Sequence, residues 1–456
     1  AVLGSHRAVA NTPVPFGAIS AWSEIGQAVA RTPFVDTHEH LIEEKERFLG
    51  PHGRIKSDDW TFLFNHYIDS DLFSAGMSSE EMDRFMSPEI DPLKKWKILE
   101  PHWPAVRNTG YGQAVAIAIQ QLYGVEELSS ETVSQVQDGY KSLVQPGFYE
   151  KILKDTAGIE SCQVNSLEGT PFMESQHPTL LMQDISIVGM HIGPDFKMFG
   201  SPTGVEVKDL SDWHRVIDWW FDKYADYAVA VKSQAAYVRD IDYEDVPAEK
   251  AEPIFKRRLN GESLNPQDQK ALEDHLFWYA ARKATACKLP VKLHTGYYAG
   301  HRSMPLSRLI KNPGSATDLC RTSPETTFVF MHICYPYYEE MVSVAKQYPN
   351  AHMDMCWAWI ISPVASVNFL KSYLVTAPAN KILTFGGDYI CVEPVAGHAA
   401  IARQGLTRTL GELFDEGWLN HERALALVEP IMCGNARRIF RLEEKKRNLK
   451  RVPWVS

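Results

Sequence analysis

The sequence has no apolar run approaching eighteen residues, so no membrane-spanning helix is expected. Its seven cysteines (162, 287, 320, 334, 356, 391 and 433) are odd in number and scattered, with no CxxC pair. That argues against a disulfide framework and points to a reducing, cytoplasmic setting. No basic stretch followed by an apolar one marks a secretory leader, although the chain begins without Met and an earlier removal stays open. Repeats of solenoid period and low-complexity tracts are missing as well. Basic residues are in the minority, 47 Lys and Arg against 57 Asp and Glu, for a net charge of −10. Neither nucleic acid nor an anionic membrane is therefore an expected partner. A small-molecule substrate is, and self-association into a homo-oligomer stays open.

What is present is the balance of a globular domain with a sizeable core, 45% hydrophobic and 23% charged. Eight short apolar runs recur, at 33–37, 161–165, 179–185, 227–232, 290–294, 327–332, 351–355 and 381–386, with helical patterns between them. Strands apolar along most of their length suit a parallel sheet covered on both faces, and eight βα units predict an α/β fold, a (β/α)8 TIM barrel. Asn265 followed by Pro266 marks a helix start, and Leu272, Leu276, Tyr279 and Ala280 give that helix one apolar face. The segment 422–440 is expected to close the barrel. The gap between the first and second runs is too long for a bare loop. Its helical spacing at Val115, Ile119 and Leu122, stopped by Gly124, predicts structure of its own. The expected division is an N-terminal extension (1–32), a barrel (33–40 and 159–445), and a mostly helical insertion (41–158) capping the barrel mouth.

His38 and His40 flank Glu39 at the end of the first run, and strand alternation points both the same way, so they can share one metal ion. Alone that is a weak signal. Three other runs end in comparable groups: the fifth in His294, the sixth in His332, and the eighth, after two glycines, in Asp388. The C-terminal ends of barrel strands meet around one axis and carry the active site. Two or three histidines with a carboxylate form a ligand set for zinc or a similar divalent ion.

This ordered set resembles the amidohydrolase superfamily, with its HxH after strand one, His after strands five and six, and Asp after strand eight. The resemblance extends over most of the chain, including the closing helix at 434–440. The long insertion is similar to the uronate-isomerase-like and amidohydrolase-related branches. It implies metal-activated hydrolysis of C–N or C–O bonds, with decarboxylases and isomerases as rarer outcomes.

Lys232 ends the fourth run, where burial would lower its pKa and favour the neutral amine. The resemblance then implies two alternatives. A carbamate on Lys232 would bridge two ions, one on His38, His40 and Asp388 and the other on His294 and His332. Otherwise one ion sits on His38, His40, His294 and Asp388, and His332 is catalytic. Under either, a divalent ion brings the pKa of a water to about 7, and Asp388 is the expected general base. The loops beyond strands four, five and seven supply expected substrate contacts: Tyr237 and Arg239, then Tyr297, His301 and Arg302, then Trp357. Each has an ordinary alternative, an ion pair for the arginines and packing for Trp357 and Trp359. His352 is expected to be a core histidine. Cys334 and Cys356 lie near the site with no paired base, so neither is expected to be a nucleophile. A non-catalytic metal-binding barrel is the rival of another class.

Overall fold

All eight apolar runs form parallel strands in a computed structural model that describes residues 23–301 and 304–455. In chain order these are β1 (Phe34–Glu39), β2 (Ile159–Val164), β3 (Leu181–Gln183), β4 (Ile185–Ser186), β5 (Val231–Ser233), β6 (Val291–Leu293), β7 (Phe328–Phe330), β8 (Ala351–Asp354) and β9 (Ile382–Leu383). The segments β3 and β4 are halves of one barrel strand parted at Asp184; the first pairs with β2 and the second with β5. Parallel pairing continues to β9. Beyond β9 the chain returns to β1, where Thr37 N donates to Phe385 O (3.0 Å) and Asp388 N to His38 O (2.9 Å). The ring of strands is the (β/α)8 barrel expected from the eight runs.

The end of the barrel opposite the strand-end histidines is plugged. Val35, Met182, Val329 and Leu383 meet Cys433, Ala436 and Phe440 in one apolar cluster. Asn435 anchors that plug by donating to the carbonyls of Ala379 (2.7 Å) and Ile382 (2.9 Å). Around the barrel, helix Pro266–Ala286 starts where its sequence signal lies, with Asp268 N donating to Asn265 Oδ1 at 2.9 Å. Its Leu272, Leu276 and Ala280 face inward and are buried.

Between β1 and β2 the chain contributes helices, among them Ile68–Ser74, Ser79–Met86, Gly110–Tyr123 and Val133–Leu143. Helix Gly110–Tyr123 ends at Gly124, whose φ of +69° closes it as a left-handed cap. Trp60, Phe64, Phe85 and Trp103 pack edge to face as this segment's own core. Arg47 fastens the segment to the barrel through a two-pronged, fully buried ion pair with Glu393 (2.6 and 3.1 Å), at the start of helix Glu393–Asp415.

That helix also carries His398, fully buried against the rings of Phe385 and Tyr389. Burial pushes its pKa down to about 3, and that of buried His191 likewise. A histidine whose folded pKa lies below its unfolded value contributes stability above the unfolded pKa, near 6.5, and loses it as pH falls toward the folded one. Each such histidine is expected to withdraw about 2 kcal/mol between pH 6.5 and 5. Urea unfolding of His398→Phe across that range should give a shallower acid limb than the parent; equal slopes would remove this account.

Candidate metal centre

The strand ends deliver the side chains that alternation predicts. His38 lies in β1 and His40 one residue beyond it, with ring planes at 83° and Nε2 atoms 3.3 Å apart. Asp388 follows Gly386 and Gly387, and neither glycine has room for a side chain. A Cβ at Gly387 would run into the Glu39 carboxylate, and one at Gly386 would sit 2.8 Å from Cys356 Sγ. Asp388 itself holds a positive φ of 65°, as do His332 (64°) and Trp357 (63°). Backbone strain of this kind collects at functional sites.

Asp388 Oδ1 lies 3.2 Å from His38 Nε2 and 3.3 Å from His40 Nε2, while Oδ2 is 4.0 Å from His332 Nε2. Lys232 Nζ stands 3.3 Å from His38 Nε2. His40 Nδ1 donates to the Asn165 carbonyl (2.7 Å) and His332 Nδ1 to the Cys356 carbonyl (3.0 Å). A carbonyl only accepts, so both rings carry their proton on Nδ1 and offer a bare lone pair at Nε2. Burial holds the pKa values of His38, His40 and His332 well below the usual imidazole range, so the rings are neutral. Burial also raises the Asp388 carboxyl to about 7, against the pull of Lys232, and lowers the Lys232 amine. Nitrogen lone pairs gathered around a buried carboxylate are a donor set that a divalent cation completes, and these residues fit one.

The other expected site residues are placed as follows. His294 is next to the cluster, its ring 4.5 Å from that of His332, but its Nε2 donates to the Tyr297 carbonyl at 2.9 Å. Tyr237 stacks at a tilt 4.5 Å from His294, and its hydroxyl accepts from Ala299 N. Tyr297 and His301 line a cavity of about 360 Å³ together with Asp71, Tyr111 and Tyr298. Trp357 packs edge-on to His332 (5.3 Å) and stacks on Tyr67 (4.7 Å). Arg239 is held by Asp274 (2.5 Å) and Glu273 (3.0 Å) of helix Pro266–Ala286. Arg302 lies outside the described residues. His352 is buried within β8.

Several groups around the centre carry no mark in the local sequence. Tyr67, from the segment between β1 and β2, donates its hydroxyl to the Asp388 carbonyl at 2.6 Å. Beneath the histidines Lys292 Nζ bonds both oxygens of Asp184 (2.9 and 3.1 Å) and the Thr37 carbonyl (2.7 Å), all fully buried. A lysine within an apolar strand, two residues before His294 and level with Lys232 in the sheet, is the signal that exposes this pair. A second cavity, about 330 Å³, opens beside His40 and is bordered by Lys45, Arg54, Glu43 and Glu168.

A family model described as amidohydrolase matches residues 180–442, more than half of the chain. Uronate isomerase from Thermotoga maritima superimposes with a TM-score of 0.74 at 14% identity, covering 92% of this chain and 97% of that one. Glucuronate isomerase from Caulobacter crescentus does so at 0.76 and 16%, covering 96% and 97%. A candidate metal-dependent hydrolase from Lactobacillus casei gives 0.61 and 18%, covering 93% and 98%. At these identities the likeness is one of fold. Protein fluG of Emericella nidulans is 26% identical over 236 residues, 49% of this chain, and the chain spans only 27% of that relative's length. With a histidine–carboxylate cluster at the mouth of the barrel and a family model matching more than half of its length, the chain belongs to the amidohydrolase family.

Proposed function

We propose that the protein hydrolyses a C–N or C–O bond (amide, ester or lactone) of a small substrate, with zinc or a similar divalent ion held by His38, His40 and Asp388. The observation that supports this most is the tautomer of His40, locked by Asn165, which turns a neutral lone pair toward His38 Nε2 and Asp388 Oδ1. When bound, the ion would supply the Lewis acidity that makes a water nucleophilic near neutral pH. Asp388 takes the proton from the attacking water and returns it to the leaving group, with its carboxylate positioned by the rigid turn after Gly387. Lys232, whose ammonium form burial disfavours, is the amine open to carbamate formation.

Residues 41–158 act in this reading as a cap that excludes water, since Tyr67 reaches the Asp388 carbonyl and Tyr111 lines the cavity near Tyr297. Lys45 and Arg54 in the cavity beside His40 offer cations to a substrate carboxylate. The same two cations favour, as a second reading, isomerisation of a sugar acid, the reaction named for the two isomerases of like fold.

Removal of the metal with a chelator is expected to abolish turnover of a panel of amides, esters and lactones, and added zinc or manganese to restore it. Turnover that survives complete metal removal would end the hydrolase proposal. Conversion of a uronate with no hydrolysis in the panel would transfer it to the second reading.

A further inference from the structure

We infer that Cys356, His332 and the second oxygen of Asp388 form a further cation subsite, selective for zinc-like ions and sharing Asp388 with the ion on His38 and His40. It rests on the proposed function only through that shared carboxylate. Cys356 lies two residues beyond the end of β8, fully buried, and its backbone N–H is fixed by Asp354 Oδ1 at 2.8 Å. Its own carbonyl takes the His332 Nδ1 proton, which aims the His332 Nε2 lone pair back into the site. That Nε2 is buried without a hydrogen-bond partner among the described residues. One ligand atom from each of His332, Cys356 and Asp388 falls within 4.8 Å of the others.

A buried cysteine is more often a small apolar filler than a ligand. Here, although Cys356 belongs to the buried core, polar ligand atoms lie beside it. The Sγ lies near an imidazole nitrogen and a carboxylate, and among the described residues its hydrogen bond is a weak one to the His38 carbonyl at 3.9 Å. Gly386 leaves the thiol its space, since a Cβ there would lie 2.8 Å from Sγ. An unpaired buried nitrogen costs free energy that an ion would recover. Zinc bonds of about 2.0–2.3 Å set tetrahedral ligand atoms roughly 3.3–3.8 Å apart, so closure around an ion draws the three groups inward by about 1 Å. One nitrogen, one sulfur and one oxygen leave a fourth position open. Sulfur favours zinc, cobalt or cadmium over magnesium or manganese. The thiol proton leaves to solvent as the metal–sulfur bond forms.

Metal-free full-length protein titrated with cobalt(II), then cadmium(II), tests this directly. Two equivalents should bind per chain, and the second should raise a thiolate-to-metal charge-transfer band in the near ultraviolet. Cys356→Ser and His332→Ala should each lose that band and the second equivalent while keeping the first, with circular dichroism unchanged. Cys320→Ser, on the outer helix Asn312–Thr322, should keep both. A single equivalent without the band, or two equivalents persisting in Cys356→Ser, overturns the subsite and leaves the hydrolase proposal standing. No binding at all would overturn both.

Discussion

Asp388→Asn is expected to lower kcat by about 10³-fold or more, the range set by loss of a positioned proton acceptor, while the first metal equivalent still binds. Asparagine is the informative replacement for a structural reason. Asp388 holds a φ of 65°, and asparagine tolerates that left-handed conformation better than most residues. The hydrogen bond from Tyr67 goes to the backbone carbonyl and survives the change. An amide oxygen still faces His38 and His40, yet it cannot take a proton from water. Steady-state rates at matched metal content measure the effect. Turnover within a few fold of the parent would remove Asp388 from the proton-transfer role.

Lys292→Met is expected to cost ~3–5 kcal/mol of stability, because it strands a buried carboxylate. Lys292 joins Thr37 in β1, Asp184 between β3 and β4, and its own strand β6, with neither charged group exposed to solvent. Asp184→Asn alone should be similarly costly. The double replacement Asp184→Leu with Lys292→Met should recover most of the loss, since an apolar pair of similar volume has no desolvation to offset. Urea unfolding of the three variants decides the matter. Single variants as stable as the parent would show the pair to be idle. Asp184 Oδ2 also lies 3.9 Å from His38 Nδ1, so the singles should loosen metal binding as well.

The barrel was legible because parallel strands buried on both faces leave short apolar runs, and eight of these alternating with helical patterns fit βα units. His38, His40 and Asp388 were legible for a related reason: alternation along β1 and the paired glycines before Asp388 are local signals with local causes. His294 shows where such signals stop. Its position at the end of β6 was readable, but its rotamer depends on the Tyr297 carbonyl, a choice made by the folded loop. Arg239 was open to two readings until helix Pro266–Ala286 brought Asp274 and Glu273 against it from over thirty residues away. Tyr67 and Lys292 act through partners hundreds of residues distant in sequence, and no periodicity records such a meeting.

The parallel rings of Tyr111, Tyr67 and Trp357 form a lid of three aromatic plates beside His332. A substrate reaching His332 from that side would meet flat ring faces, whereas the approach to His40 is through the second cavity, lined by Lys45 and Arg54.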